Sequence, residues 1–144
     1  MCLVLFALGM HPRYPLIVAS NRDEYHNRPA APIHRWKDYP NIIAGRDLEQ
    51  SGTWMGVTES GRWAIVTNFR EQKTTSNRKE SRGNLTKNFL TSDQSPQAFA
   101  SSIGEMTESY NGFNLLVGDS SSIYYVTNRQ AEGMPQTQSI EKPG

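Results

Sequence analysis

The apolar residues of this chain come in short blocks, and that restricts its fold more than any other feature. "CLVLFAL" at 2–8 and "PLIVAS" at 15–20 are brief and rich in branched and aromatic side chains, as strands are. Gly9 to Pro15 separate them with turn residues, which predicts a β-hairpin with a longish loop. Trp54 to Thr58 and Trp63 to Asn68, divided at Ser60-Gly61, predict a second hairpin. "FNLLVG" at 113–118 and "IYYVTN" at 123–128, joined by "DSSS", predict a third.

Helix signals are fewer. "LTKNFL" at 85–90 is a short candidate, and "SPQAFASSIGEMTESY" at 95–110 a stronger one. Ser95 is placed to cap it, Pro96 occupies its first position, and Ala98, Phe99, Ile103 and Met106 form an apolar stripe that Gly104 weakens. Residues 21–41 contain Pro29, Pro32 and Pro40 with no helical periodicity and read as loop. The polar run 70–84 reads as an exposed loop, with a lid as its second reading, and the tail after Asn128 reads as structureless. Hairpins with helices inserted between them predict an α+β fold rather than alternating βαβ units. Residues 1–144 suffice for a single domain.

Composition narrows the function classes. Charged residues make up 20% of the chain and the net charge is +1, so nothing favours nucleic acid or an acidic membrane. "CLVLFAL" is too short to cross a bilayer and lacks the flanks of a secretory signal. No integral membrane association and a cytoplasmic location are therefore expected. A lone cysteine excludes an intrachain disulfide and any multi-cysteine metal site. His11, His26 and His34 have none of the close spacings of zinc ligands. No metal and no required cofactor are expected, the partner being a small-molecule substrate or ligand. Oligomeric state has no sequence signal.

That cysteine stands at position two. A first hairpin centred near Pro12 sets Cys2 opposite about Arg22, with Asn21 and Asp23 on the alternate face. Removal of the initiator methionine would leave Cys2 with both a thiol and an α-amine. A reference amine titrates near ~7.7–8.0 and a thiol near ~8.5, so nucleophile and base would belong to one residue. Arg22 would lower the thiol pKa or bind a substrate carboxylate, and Asp23 would orient the α-ammonium. Two plainer readings stand beside this: Cys2 as a small buried hydrophobe, and "NRDE" as a solvated turn.

"MC", "ASNRDE", "SGTWMGV", "TNFR", "SRG" and "YNGFNLLVGD", in that order along the whole chain, resemble the NRDE-domain family. That family includes the transport-and-Golgi-organisation proteins and is similar to N-terminal nucleophile hydrolases. The resemblance implies an αββα sandwich that continues beyond residue 144. It also implies Cys2 as nucleophile, Arg22 and Asp23 in the positions of an arginine and an aspartate after the first hairpin, and Asn68 as an oxyanion donor. In the cysteine-type acylases of that superfamily the arginine and aspartate are separated; here they are adjacent. A further asparagine is implied, for which Asn111 and Asn114 are both candidates, and Asn21 joins them as a substrate-binding residue. The implied activity is hydrolysis or acyl transfer at a non-peptide carbon–nitrogen bond. The alternative is a non-catalytic protein that holds haem or a lipid-like ligand in the same cleft, with a histidine or Cys2 as axial ligand to haem.

Overall fold

In the computed structural model, which describes residues 2–69, 80–104, 106–129 and 137–141, the first two blocks form the expected hairpin. β1 (Val4–Leu8) and β2 (Leu16–Ser20) pair antiparallel, with Val4 opposite Ser20 and Leu8 opposite Leu16. Gly9 N donates to Pro15 O at 2.8 Å, closing a loop centred on Pro12.

The next strand corrects the reading of 21–41 as loop. β3 (Ala30–Arg35) lies inside it and, among the described residues, pairs only with β4 (Ile42–Asp47), with an irregular register between Ala31 and His34. Proline has no N–H for a ladder, but an edge strand with a bulge accommodates one, and Pro32 sits at that irregularity. β5 (Met55–Thr58) and β6 (Trp63–Asn68) are the second expected hairpin. Two helices follow, α1 (Gly83–Thr91) and α2 (Pro96–Gly104). β7 (Phe113–Gly118) and β8 (Ile123–Thr127) are the third hairpin. β9 (Thr137–Ile140) adds a strand in the tail read as structureless, pairing β8 at the far edge.

β3 to β9 lie in chain order in one seven-stranded antiparallel sheet, and β1–β2 form a separate two-stranded one. Alternation sorts the side chains of the large sheet. Ala64, Val66, Phe113, Leu115, Val117 and Val126 point to one face and join Leu85, Phe89, Phe99 and Ile103 of the helices in the main core. α1 covers β4 to β7 and α2 covers β7 to β9. Trp63, Ile65 and Ile123 point to the other face, where Val4, Leu8, Leu16 and Val18 of the hairpin pack on them. The chain is thus an α+β arrangement of helices, sheet and hairpin in three layers.

The cap of α2 is as expected: Ser95 Oγ accepts from Ala98 N at 3.2 Å. Its extent is not. The helix ends at Gly104, and a 3-10 turn occupies Thr107–Ser109. The buried stripe is Pro96, Phe99, Ala100 and Ile103, while Ala98 and Met106 are exposed. Glycine in a helix interior is unfavourable by about 1 kcal/mol relative to alanine, and here it sits where the helix stops. Among the described residues no helix is long and apolar enough to cross a membrane.

Arg62, in the turn before β6, ties the sheet to the helices. Its guanidinium lies over the Phe89 ring, 4.1 Å from the centroid, and donates to Phe89 O at 2.9 Å and Gln94 O at 2.8 Å. Phe89 O is one of the carbonyls at the end of α1, where a cation also meets the negative end of the helix dipole. Arg62→Met keeps the apolar stem and removes the donors. It is expected to lower stability by about 1–3 kcal/mol, seen as a lower urea midpoint at unchanged slope.

Candidate functional site

The hairpin ladder continues past its last strand residues toward the chain start. Asn21 N donates to Leu3 O at 3.3 Å, and Leu3 N donates to Asn21 Oδ1 at 2.7 Å. Asn21 thus clamps the start of β1 with both backbone and side chain, and that register puts Cys2 beside the residues at 22 and 23. Cys2 Sγ is half-buried and makes a long contact, 4.0 Å, with the backbone oxygen of Asp23.

This corner opens into a cavity of about 260 Å³. Cys2, Asn21, Arg22, Asp23, Asn68 and Asn111 all line it. Asn114 does not. In β7, Phe113 and Leu115 face the helices, so Asn114 faces the hairpin. There it accepts from Tyr125 O–H at 2.7 Å and reaches Thr67 Oγ1 at 3.4 Å, beside a second cavity between the two sheets. The three histidines are exposed, line neither cavity, and no cluster suited to a metal occurs among the described residues. Most of the segment read as a lid, residues 70–79, lies outside the described residues.

Several lining residues were not foreseen. Arg28 donates to Asp47 Oδ2 through Nε at 3.0 Å and a terminal nitrogen at 2.6 Å, and Glu24 and Glu49 lie 3.9 and 3.8 Å from its guanidinium. Asp47 Oδ1 meanwhile accepts from Glu49 N at 2.9 Å and Gln50 N at 3.3 Å. Asp47 therefore caps the β4–β5 turn and anchors the chain at Arg28, four residues after "NRDE", to the sheet. On the far wall Gly52 touches the start of α1: a Cβ there would fall 2.6 Å from Gly83 C, and Thr53 N donates to Gly83 O at 3.2 Å. Glu80 accepts from the hydroxyl of Tyr110 at 2.9 Å. Burial, and then that bond, push the Tyr110 phenol up to about 12, so it remains a donor. Trp54 also lines the cavity, with the Arg22 guanidinium 4.5 Å above its ring.

Three of the sequence-predicted residues that line the cavity carry polar groups left without a hydrogen-bond partner among the described residues. The Arg22 guanidinium has no acceptor or carboxylate partner among the described residues. The side chain of Asn68, half-buried at the end of β6, has no hydrogen bond among them either. Asn111 Oδ1 is buried with no donor. Buried polar atoms are nearly always paired, so an orphan beside a cavity is a position where a ligand or water completes the bonding.

The comparisons can be read on this geometry. Residues 1–143 match the family model described as "Transport and Golgi organisation 2". The bovine (Bos taurus) "Transport and Golgi organization protein 2 homolog" is 34% identical over 141 residues, covering 90% of this chain and 51% of that protein. The mouse (Mus musculus) "Transport and Golgi organization 2 homolog" is 33% identical over 129 residues, 85% of this chain and 46% of that protein. The fruit-fly (Drosophila melanogaster) "Transport and Golgi organization protein 2" is 35% identical over 66 residues, 42% of this chain and 23% of that protein. The chain spans about half the length of the mammalian relatives.

Burial raises the pKa of Asp47, but the Arg28 bond and the two backbone amides outweigh it and hold the carboxyl below its usual range. A carboxyl depressed in the folded state stabilises fully above its unfolded pKa, near ~3.9, and loses that contribution as pH falls through the folded value. Asp47→Asn keeps the turn-capping oxygen and removes the charge. It is expected to lower stability at pH 7 by about 1–3 kcal/mol, and the gap to the parent should narrow between pH 5 and pH 3 in urea titrations. Parallel curves over that range would contradict the assignment.

Proposed function

The chain belongs to the transport and Golgi organisation 2 family, and we propose that its Cys2 is the nucleophile of an N-terminal-cysteine hydrolase or acyl transferase acting on non-peptide amides. The observation that carries this reading is the meeting of Cys2, Arg22, Asp23 and Asn68 at one cavity, although Asn68 is far from the others in sequence. The layering of helices, sheet and hairpin supports placing the chain within an αββα sandwich of the N-terminal nucleophile kind. A cytoplasmic setting, where a lone thiol stays reduced, suits the chemistry.

Once Met1 is removed, the α-amine of Cys2 takes the thiol proton and the sulfur attacks the amide carbon. The carbonyl becomes a tetrahedral oxyanion, which the amide N–H of Asn68 stabilises from the end of β6. Collapse of that intermediate breaks the carbon–nitrogen bond, and the leaving amine takes the proton held on the α-ammonium. A thioester on Cys2 remains. Water, deprotonated by the α-amine, then releases a carboxylic acid and restores the thiol; a second amine in place of water gives acyl transfer. The Asn21 clamp on Leu3 holds the terminus in place, with the backbone oxygen of Asp23 beside the sulfur.

Haem suits this cavity poorly. Among the described lining residues there is no histidine and Cys2 is the one soft axial donor, while seven charged side chains line the wall.

Intact mass of the purified protein is expected to show loss of Met1, and an amide panel is expected to yield turnover that Cys2→Ala abolishes. Asn68→Ala should lower kcat by about 10²–10³ with KM little changed. Retained Met1, or equal turnover by Cys2→Ala, would remove the mechanism.

A further inference from the structure

Three arginines line the Cys2 cavity, and the fold treats them differently. Arg28 is committed to Asp47, with Glu24 and Glu49 at its edges. Arg82 donates to Gly112 O at 3.0 Å. Arg22 makes neither kind of bond among the described residues. It lies instead over the face of Trp54, 4.5 Å from the ring centroid to the guanidinium carbon.

Trp54 is itself seated. A Cβ at Gly45 would lie 2.9 Å from Cη2 and 3.0 Å from Cζ2 of the Trp54 ring, so the indole occupies the space a side chain on β4 would take. Backbone hydrogen bonding fixes its strand as well, Val66 N donating to Trp54 O at 2.8 Å. The order of contact is Gly45, Trp54, Arg22, then the cavity. Stacking engages the flat face of a guanidinium and leaves its N–H edge available, the edge that meets a carboxylate or phosphate in two parallel bonds.

The acids lining the cavity do not take up that edge. Asp47 is held by Arg28 and two backbone amides, Glu80 by the Tyr110 hydroxyl, and Glu24 by Tyr25 N at 3.0 Å and by Arg28. Asp23 has interactions of its own within the fold, and none of these acids is an ion-pair partner of Arg22.

We propose that the Arg22–Trp54 stack, seated on Gly45, is an oxyanion-recognition site, and that the ligands of this cavity carry a carboxylate or phosphate group. The substrate class rests on the amide-hydrolase reading: an amide with an acidic group on the part held beside Arg22. Recognition of the anion does not depend on turnover. Trp54 is a positioning residue that acts through Arg22.

Cys2 is the only cysteine of the chain, so its alkylation reports on this cavity alone. The test compares rates with iodoacetate, which is anionic, and iodoacetamide, which is neutral, against an N-terminal-cysteine peptide in the same buffer. The protein is expected to favour iodoacetate over iodoacetamide by about fivefold more than the peptide does, the preference falling with salt. Arg22→Gln should return the ratio to that of the peptide. Trp54→Leu should lower it at least twofold with Arg22 still present, Trp54→Phe should retain most of it, and Arg22→Lys should restore only part. Acetate and inorganic phosphate as competitors of iodoacetate distinguish a carboxylate from a phosphate preference. Far-UV circular dichroism and urea midpoints identify any variant that fails to fold. A parent ratio equal to that of the peptide, or one unchanged in folded Arg22→Gln, would overturn the proposal. Failure of the nucleophile reading looks different: retained Met1 and no amide turnover, with the charge preference intact.

Discussion

A seven-stranded sheet with large apolar side chains on both faces must be covered twice, and most of this structure follows from that requirement. Helices take the face bearing Val66, Leu115 and Val117. The hairpin takes the face bearing Trp63, Ile65 and Ile123. To do so it must turn Val4, Leu8, Leu16 and Val18 inward together, and only one parity of register allows it. That register holds the chain start beside Arg22 and Asp23. Burial of a hydrophobic face thereby aims a thiol at a polar cavity, with no direct sulfur interaction strong enough to do the aiming.

The cavity wall is assembled from parts distant in sequence, each held by a bond suited to its place. The Arg28–Asp47 pair binds the chain that follows "NRDE" to the β4–β5 turn. Gly52 lets that turn approach α1 closely enough for Thr53 N to reach Gly83 O. Asn128 accepts from Phe113 N at 2.9 Å and donates to Tyr110 O at 3.2 Å, fixing the chain on either side of Asn111. These ties use their polar groups on each other. Arg22, Asn68 and Asn111 stand apart from that accounting, which is why they read as ligand contacts and their neighbours as framework.

Much of this was legible in the sequence, for reasons that are local. Block length and turn residues locate three hairpins, the Ser95-Pro96 pair locates the start of α2, and the symmetry of the first hairpin about Pro12 sets Cys2 near Arg22. What was not legible depends on partners. β3 is a strand because β4 offers it a ladder, and Pro32 is tolerated because its other edge is unpaired among the described residues. The polar "TQSI" of β9 likewise becomes a strand only beside β8. Arg28 and Asp47 lie nineteen residues apart with nothing local to join them. Alternation does separate Asn114 from Phe113 and Leu115, but which face of β7 meets which layer is settled only once the sheet is packed.

Arg22 and Asp23 are adjacent in sequence, yet the fold gives them separate places at one cavity. β2 ends at Ser20, so residues 22 and 23 are released from strict strand alternation and both reach the same cavity. They approach it by different chemistry: Arg22 through a guanidinium laid on Trp54, Asp23 with its backbone oxygen beside Cys2 Sγ. An ion pair between them would have quenched the cation next to the thiol. The indole instead takes up the face of the guanidinium without consuming its charge or its donors. Adjacent residues of opposite charge can therefore serve one site in separate roles, provided an aromatic ring, and a glycine to make room for it, keep them apart.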